Sequence, residues 1–317
     1  MKKTIVPGST PIAWDAEALY IKAQRYAQRM VEVDSDEWEY ALWSGFSLEF
    51  LARSALSNVS PALLADCDKS WASLYHALGF TPIDGHFLPK SITVSEAFKR
   101  LTAILPEFTK EQEAFAIAHT AKRNAELHSG EAAFEGVNAS SWQPSFYRVS
   151  EILLDSVGAT LVEFFGADDA KIAAQLIAAA SDSSAKAVKG EVEAYRKVWD
   201  GKDKTDRKKL QTQSNVWATR HTGHRVDCPA CSSQALVVGE PVAAPTQTLK
   251  NGAIIEKQEY LPSRFECIAC GLKIAGLSRL TVIGLGNRYK KTQVYDASEF
   301  YAQQDEYDGY EEDNNER

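Results

Sequence analysis

Thr109-Lys110-Glu111-Gln112-Glu113-Ala114-Phe115-Ala116-Ile117-Ala118-His119-Thr120-Ala121-Lys122-Arg123-Asn124-Ala125-Glu126-Leu127-His128 is the stretch on which the reading of the fold turns. Thr109, followed three residues later by Gln112, is the signature of a capping box. In it the side chains at the two ends satisfy each other's orphan backbone N–H groups. Phe115, Ala118 and Ala125 follow on one apolar stripe, so the spacing predicts an amphipathic helix with its end near Ser129-Gly130. Its last turn and a half holds a permanent cation, a short amide, a carboxylate and an imidazole: Arg123, Asn124, Glu126 and His128. An arginine fork grips phosphate, and a histidine moves a proton near neutral pH. Those are the parts of a metal-free RNase, and equally those of an ordinary polar helix end.

Outward from this helix, residues 12–166 read as a helical bundle. Leu19, Ala23, Tyr26 and Met30 share a face. Asp34 with Glu37 predicts a cap before a helix carrying Trp38, Leu42, Leu48, Ala52 and Ala55. Trp71, Leu74, Tyr75 and Leu78 form another stripe, and Thr93 to Glu96 is a second box signature. Val149, Leu153, Val157 and Leu161 predict one long helix that stops at Gly166. The β-branched alternation of strands is absent here.

Residues 167–215 read as a helical extension that ends in a basic linker. Ile172, Leu176 and Ala179 share a face, as do Val188, Val192, Tyr195 and Trp199. The character changes over 216–292. Ala235 to Val238, Ala253 to Tyr260 and Leu277 to Leu285 read as short strands, and Asn251-Gly252 is a hairpin signal. Residues 293–317 read as an acidic, disordered tail. The fold class is therefore mainly α, with a small β module near the C-terminus.

Among the 317 residues, 44% are hydrophobic and 25% charged, an ordinary globular composition. No apolar run reaches the ~18 residues of a membrane span, and the first residues make a poor signal peptide. A soluble, cytoplasmic protein is expected. The formal charge of −8 belongs to the tail: Asp296 to Arg317 holds nine carboxylates and one arginine. Arg196 to Lys209 carries seven basic residues against three acidic ones, with Arg220, His221, His224 and Arg225 soon after. That strip is either a solvated surface or a phosphate-neutralising one. The tail either solubilises or competes with RNA for the strip.

Four of the five cysteines fall in two pairs, Cys228-x-x-Cys231 and Cys267-x-x-Cys270; Cys67 is the remainder. Paired short spacings point to metal ligation, not to a disulfide framework. Four thiolates from two tight turns suit tetrahedral zinc, and a closed Cys-four site is structural. The pattern resembles a zinc ribbon with a hairpin inserted around Asn251-Gly252. His221 and His224 lie near the first pair as lesser candidates for a ligand position.

Arg-x-x-x-x-His with a polar residue after the arginine, on a helical domain of this size, resembles the HEPN superfamily. The resemblance covers roughly residues 12–165 and rests on Arg123, Asn124 and His128. Glu49 with Arg53 is a weaker echo, because many members carry such a pair in an earlier helix; it is equally an i,i+4 salt bridge. The resemblance implies a metal-independent RNase, often from phage-defence or toxin systems, with a cleft built by two domains. His128 would act as general acid or base, Arg123 would hold the phosphate, and Asn124 would orient it. The product would carry a 2′,3′-cyclic phosphate. The tyrosine that nucleotide-modified members carry two positions after the histidine is Gly130 here, which puts that form of control in doubt.

The sequence thus supports an RNase, a homodimer whose ribbon and basic strip recruit RNA or a protein partner. It also supports a non-catalytic nucleic-acid-binding or adaptor protein with an inactive bundle, or a nucleotide-binding sensor.

Overall fold

The computed structural model describes Gly8, residues 11–66, 71–80 and 87–297, and Phe300. Cys67 and most of the acidic tail lie outside these. The chain divides into two units, the first made of Met1–Lys189 and Leu277–Asn287, the second of Gly190–Gly276 and Arg288–Arg317.

The first unit is helical. Helix α1 (Ala16–Glu32) starts where the Asp15 carboxylate accepts from Ala18 N at 2.9 Å. It buries Leu19, Ala23, Ala27 and Met30. Helix α2 (Trp38–Val59) is the hub, onto which α1, α4 (Val94–Ile104), α5 (Lys110–His128) and α6 (Gln143–Ser156) all pack. A helix buried on several sides needs small residues for close approach, and α2 buries Ala41, Ser44, Gly45, Ser47, Ala52, Ser54, Ala55 and Ser57. Its serines do not lose their hydrogen bonds. Ser47 Oγ donates to Ala23 O at 3.1 Å, and Ser54 Oγ to Ala16 O at 2.8 Å, tying α2 to α1.

Several local expectations change. Glu37 takes the N-cap position of α2 but makes no side-chain capping bond, and its N–H donates to Asp34 O. Thr93 caps α4 through Glu96 N, without the return bond of a full box. Around α3 (Ala72–Ala77), Trp71, Tyr75 and Leu78 are about half exposed, so that stripe does not turn inward. The long helix from Val149 breaks. Chain reversal at Gly158, with φ of 74°, ends α6, and a Thr160–Glu163 capping box opens the short α7 (Leu161–Phe165). Helix α8 (Ala167–Ser181), assigned by sequence to an extension, packs on α6 and α7 and buries Ile172, Leu176 and Ala179.

The second unit begins at Gly190 within α9 (Val188–Asp200), which leads to α10 (Lys204–Arg220). The stretch read as a basic linker is thus helical. It reaches Arg220, so the β module starts at His224, not at 216. The sheet is antiparallel, with strands β1 (His224–Asp227), β2 (Gln234–Pro241), β3 (Thr246–Lys250), β4 (Ala253–Glu266), β5 (Lys273–Ala275) and β6 (Tyr289–Asp296). The long β4 organises it. Its first half pairs with β3 and β6, its second half with β2 and β5. A bulge at Val238/Gly239 bends β2; a side chain on Gly239 would meet Leu261 O at 2.4 Å. Asn251 and Gly252, both at positive φ, make the β3–β4 turn as expected. Strand β6 runs to Asp296, so the first residues of the expected tail are sheet.

Leu277 to Leu285 is not a strand. Leu277–Val282 forms α11, which returns to the first unit against α8. Asn287 fixes the return: its Oδ1 accepts from Ser140 N at 2.7 Å, and its Nδ2 donates to Asp36 Oδ1 at 3.1 Å. No helix among the described residues is long and apolar enough to cross a membrane.

Candidate functional site

The capping box at the start of α5 forms in full: Gln112 Oε1 accepts from Thr109 N at 3.1 Å while the Thr109 hydroxyl takes its N-terminal amides. The helix is regular to its end at His128. Its buried face is not the Phe115–Ala118–Ala125 stripe but Glu113, Ala116, His119, Thr120 and Arg123. A partly polar face is buried because polar partners wait on the other side.

Arg123 is 6% exposed and reaches across to α2. Its Nη2 donates to Glu49 Oε2 at 2.5 Å. Glu49 Oε1 accepts from Arg53 Nε at 2.9 Å, and Arg53 Nη2 continues to Ile92 O at 3.1 Å. Burial pushes the Glu49 carboxyl up, but the Arg53 and Arg123 guanidinia outweigh it and hold the group below its ordinary range. The Arg123 guanidinium lies 4.9 Å from the Phe46 ring centre, and its Nε is buried without a hydrogen-bond partner among the described residues. The Glu-x-x-x-Arg pair and the Arg-x-x-x-x-His motif therefore meet, although 74 residues separate Glu49 from Arg123.

The other two residues of the motif face away. Asn124 and His128 are exposed. Five helical steps place Arg123 about 140° from His128. Among the described residues no hydrogen bond or ion pair joins the two, so a single chain does not assemble the expected trio. Glu126 serves the fold instead, since its Oε2 accepts from Phe134 N at 3.2 Å and pins the loop after α5. His119, one turn before Arg123, is buried against Ser44, Phe115 and Trp142. Phe134 and Trp142, which enclose it, carry no periodic signal in the sequence because they lie outside helices.

The four cysteines come together as expected. Their sulfurs all lie within 4.8 Å of one another, with Cys228–Cys270 and Cys231–Cys267 at 3.6 Å. Zinc–sulfur bonds of about 2.3 Å place tetrahedral sulfurs roughly 3.8 Å apart, so the set is compatible with zinc. Two equivalent turns build it. Ser232 N donates to Cys228 O and Cys228 N to Ser233 O; Gly271 N donates to Cys267 O and Cys267 N to Leu272 O, all at 2.9 Å. Ser232 and Gly271 both take positive φ, which wraps each turn around its sulfurs. Arg196 of α9 donates to Pro229 O at 2.8 Å and supports the first turn. His221 and His224 stand apart from the cluster, His221 tilted against Trp217 and His224 stacked on Tyr289.

Lys204, Lys208, Lys209 and Arg220 of α10 are exposed, while Ser214 donates to Gln234 O at 2.6 Å and fixes that helix to β2. Compared with family models, characterised proteins and solved structures, the chain matches none.

Proposed function

We propose that the helical unit is a metal-independent RNA endonuclease of the HEPN kind, working as a homodimer, with phage defence or a toxin system as its setting. The supporting observation is the meeting of Arg123 with Glu49 and Arg53. Two sequence features that the resemblance singles out separately share one ion-pair network. Asn124 and His128 lie on the adjoining outer face, where a second copy completes the cleft.

In this reading the RNA 2′-hydroxyl attacks the neighbouring phosphorus and gives its proton to one His128. The phosphorus–O5′ bond breaks, and the leaving 5′-oxygen takes a proton from the His128 of the other copy. Arg123 stabilises the charge on the phosphate, directed by Glu49. The products are a 2′,3′-cyclic phosphate and a 5′-hydroxyl. The four cysteines would hold a zinc ion in a ribbon-like module, where a four-thiolate set would supply structural support to the two turns. The exposed lysines of α10 recruit RNA, and the ribbon offers a surface for a protein partner.

The burial of Arg123 favours a second reading, a binding or adaptor protein in which the arginine only holds α5 to α2. One experiment separates them. Labelled RNA is incubated in EDTA with the native chain, with Arg123→Ala and with His128→Ala. Cleavage lost in both variants supports the RNase. RNA binding retained by all three, with no cleavage, supports the adaptor.

A further inference from the structure

The second unit holds a recess to which the cleavage scheme gives no task. It lies between the end of α10 and the sheet, with a volume of about 250 Å³. Sites for drug-sized ligands run roughly 300–1,000 Å³, so this one takes a single ring system. The strand register builds its floor. Leu236 pairs with Glu266 and Val238 with Arg264, so these four side chains share one face of β2 and β4. Trp217 and His221, at the end of α10 and just beyond it, form the facing wall.

The polar groups on this lining are accessible and unspent. Arg264 is exposed, and its guanidinium makes no ion pair or hydrogen bond among the described residues. Trp217 is half-buried, with its indole N–H neither enclosed nor hydrogen-bonded among the described residues. The His221 ring tilts against it, the two centres 4.9 Å apart. His221 Nδ1 lies 2.9 Å from Trp217 O, and a carbonyl can only accept. The proton of the neutral ring is therefore on Nδ1, and Nε2 of this exposed side chain is an acceptor with no partner among the described residues. Glu266, the one carboxylate among the described lining residues, is paired with Lys273 at 2.7 Å. The last carbonyls of a helix repel anions, but here Trp217 O accepts from His221 and Ala218 O accepts from Arg225 Nε at 3.1 Å.

We propose that this recess holds one nucleotide of a single-stranded RNA, with its base against Trp217 and its phosphate on Arg264. Stacking on an aromatic ring tolerates any base, and every base edge carries donors and acceptors to meet Trp217 Nε1–H and His221 Nε2. An acidic peptide would engage Arg264 and leave those two groups idle. The surroundings suit a polyanion. Arg225 pairs with Leu236 in the register, Arg220 precedes His221, and Lys208 and Lys209 are exposed further back along α10. The proposal deepens the RNase reading, and it rests on RNA as the ligand, not on cleavage.

The full-length chain is titrated at low salt with fluorescein-labelled 2′-O-methyl hexamers of A, C and U, which lack the attacking hydroxyl and stay intact. Anisotropy reports the affinity. Arg264→Gln removes the charge and Trp217→Leu the ring. Lys204→Gln, the same loss of charge about 20 Å away along α10, is the control. At least one hexamer is expected to bind the native chain, to bind about tenfold more weakly in Arg264→Gln and Trp217→Leu, and to stay within about twofold in Lys204→Gln. Thermal melts check the fold, and the exposed Arg264 decides if Trp217→Leu fails. No hexamer binding, or recess variants no weaker than Lys204→Gln, overturns the proposal. Tighter binding of a hexaglutamate peptide, lost in Arg264→Gln, overturns it in favour of a protein partner. Nucleoside 5′-monophosphates that bind as tightly as the hexamers overturn the strand in favour of a free nucleotide. Recess-dependent hexamer binding without cleavage of ordinary RNA keeps the proposal and removes the RNase reading, whereas cleavage without recess-dependent binding does the reverse.

Discussion

Gly45 on α2 lies against Arg123 on α5 so closely that a Cβ in place of its hydrogen would sit 3.0 Å from Arg123 Cβ and 3.1 Å from Cγ. The absent side chain is what admits the arginine stem into the bundle. Gly45→Ala should therefore not deliver the ~1 kcal/mol that a helical glycine-to-alanine change normally gains. Overpacking costs roughly 1–3 kcal/mol and outweighs it. Gly190 in α9 is the control, because a Cβ added there would meet nothing within 4 Å. Urea unfolding should show Gly190→Ala neutral to stabilising and Gly45→Ala destabilising; equal gains in both would mean that the contact yields freely.

The Glu49–Arg123 pair can be measured directly. The two side chains are 14% and 7% exposed. Removing Glu49 strands the Arg123 charge, at a cost of about 3–5 kcal/mol, whereas removing Arg123 leaves Glu49 paired with Arg53 and costs less. A double-mutant cycle with Glu49→Ala and Arg123→Met should return a coupling energy of about 1–3 kcal/mol. Additive losses would show that each residue is held by its other neighbours alone.

Acid should loosen the helical unit in two stages. His119 titrates at about 3 when folded, against an ordinary 6.5. Between those values the unfolded chain binds the extra proton, so stability rises with pH and is fully present above 6.5. It falls by about 1.4 kcal/mol per pH unit as pH drops through the window. Glu49 is depressed from its ordinary 4.5, so its contribution is present above that value and lost only below it. From pH 6.5 to 5 the slope therefore belongs to His119. Unfolding curves of His119→Gln should be flat there; a native-like slope would assign it elsewhere.

Loss of one sulfur should empty the metal site. In Cys228→Ser, metal content by plasma mass spectrometry should fall from one equivalent to a small fraction. Amide exchange protection should vanish across β1 to β5, because in such small modules the metal-binding free energy is folding free energy. One retained equivalent, or unchanged protection, would contradict the assignment.

What the sequence revealed depended on how local each signal was. The Thr109 box, the Asn251-Gly252 turn and the cysteine spacings are set within a few residues, and each took the expected form. Gly158 is just as local, and Thr160 with Glu163 repeats the box pattern three residues apart; the apolar stripe from Val149 masks both by continuing past them. Leu277–Val282 is helical through its packing on α8, a partner distant in the sequence, and β-branched composition pointed the other way. The inward face of α5 was hidden for a related reason. Apolar periodicity marks the face that meets apolar neighbours, but this helix turns Arg123 and His119 toward Glu49 and Ser44.

The excursion of Leu277–Asn287 has a genetic corollary. The polypeptide leaves the sheet at Gly276, contributes α11 to the helices, and re-enters at Arg288 to lay down β6. Neither unit is a continuous piece of the gene. Truncation anywhere before residue 277 strips a helix from one unit and an edge strand from the other, so the first unit is incomplete until the ribosome has passed α11 and the second until it has passed β6.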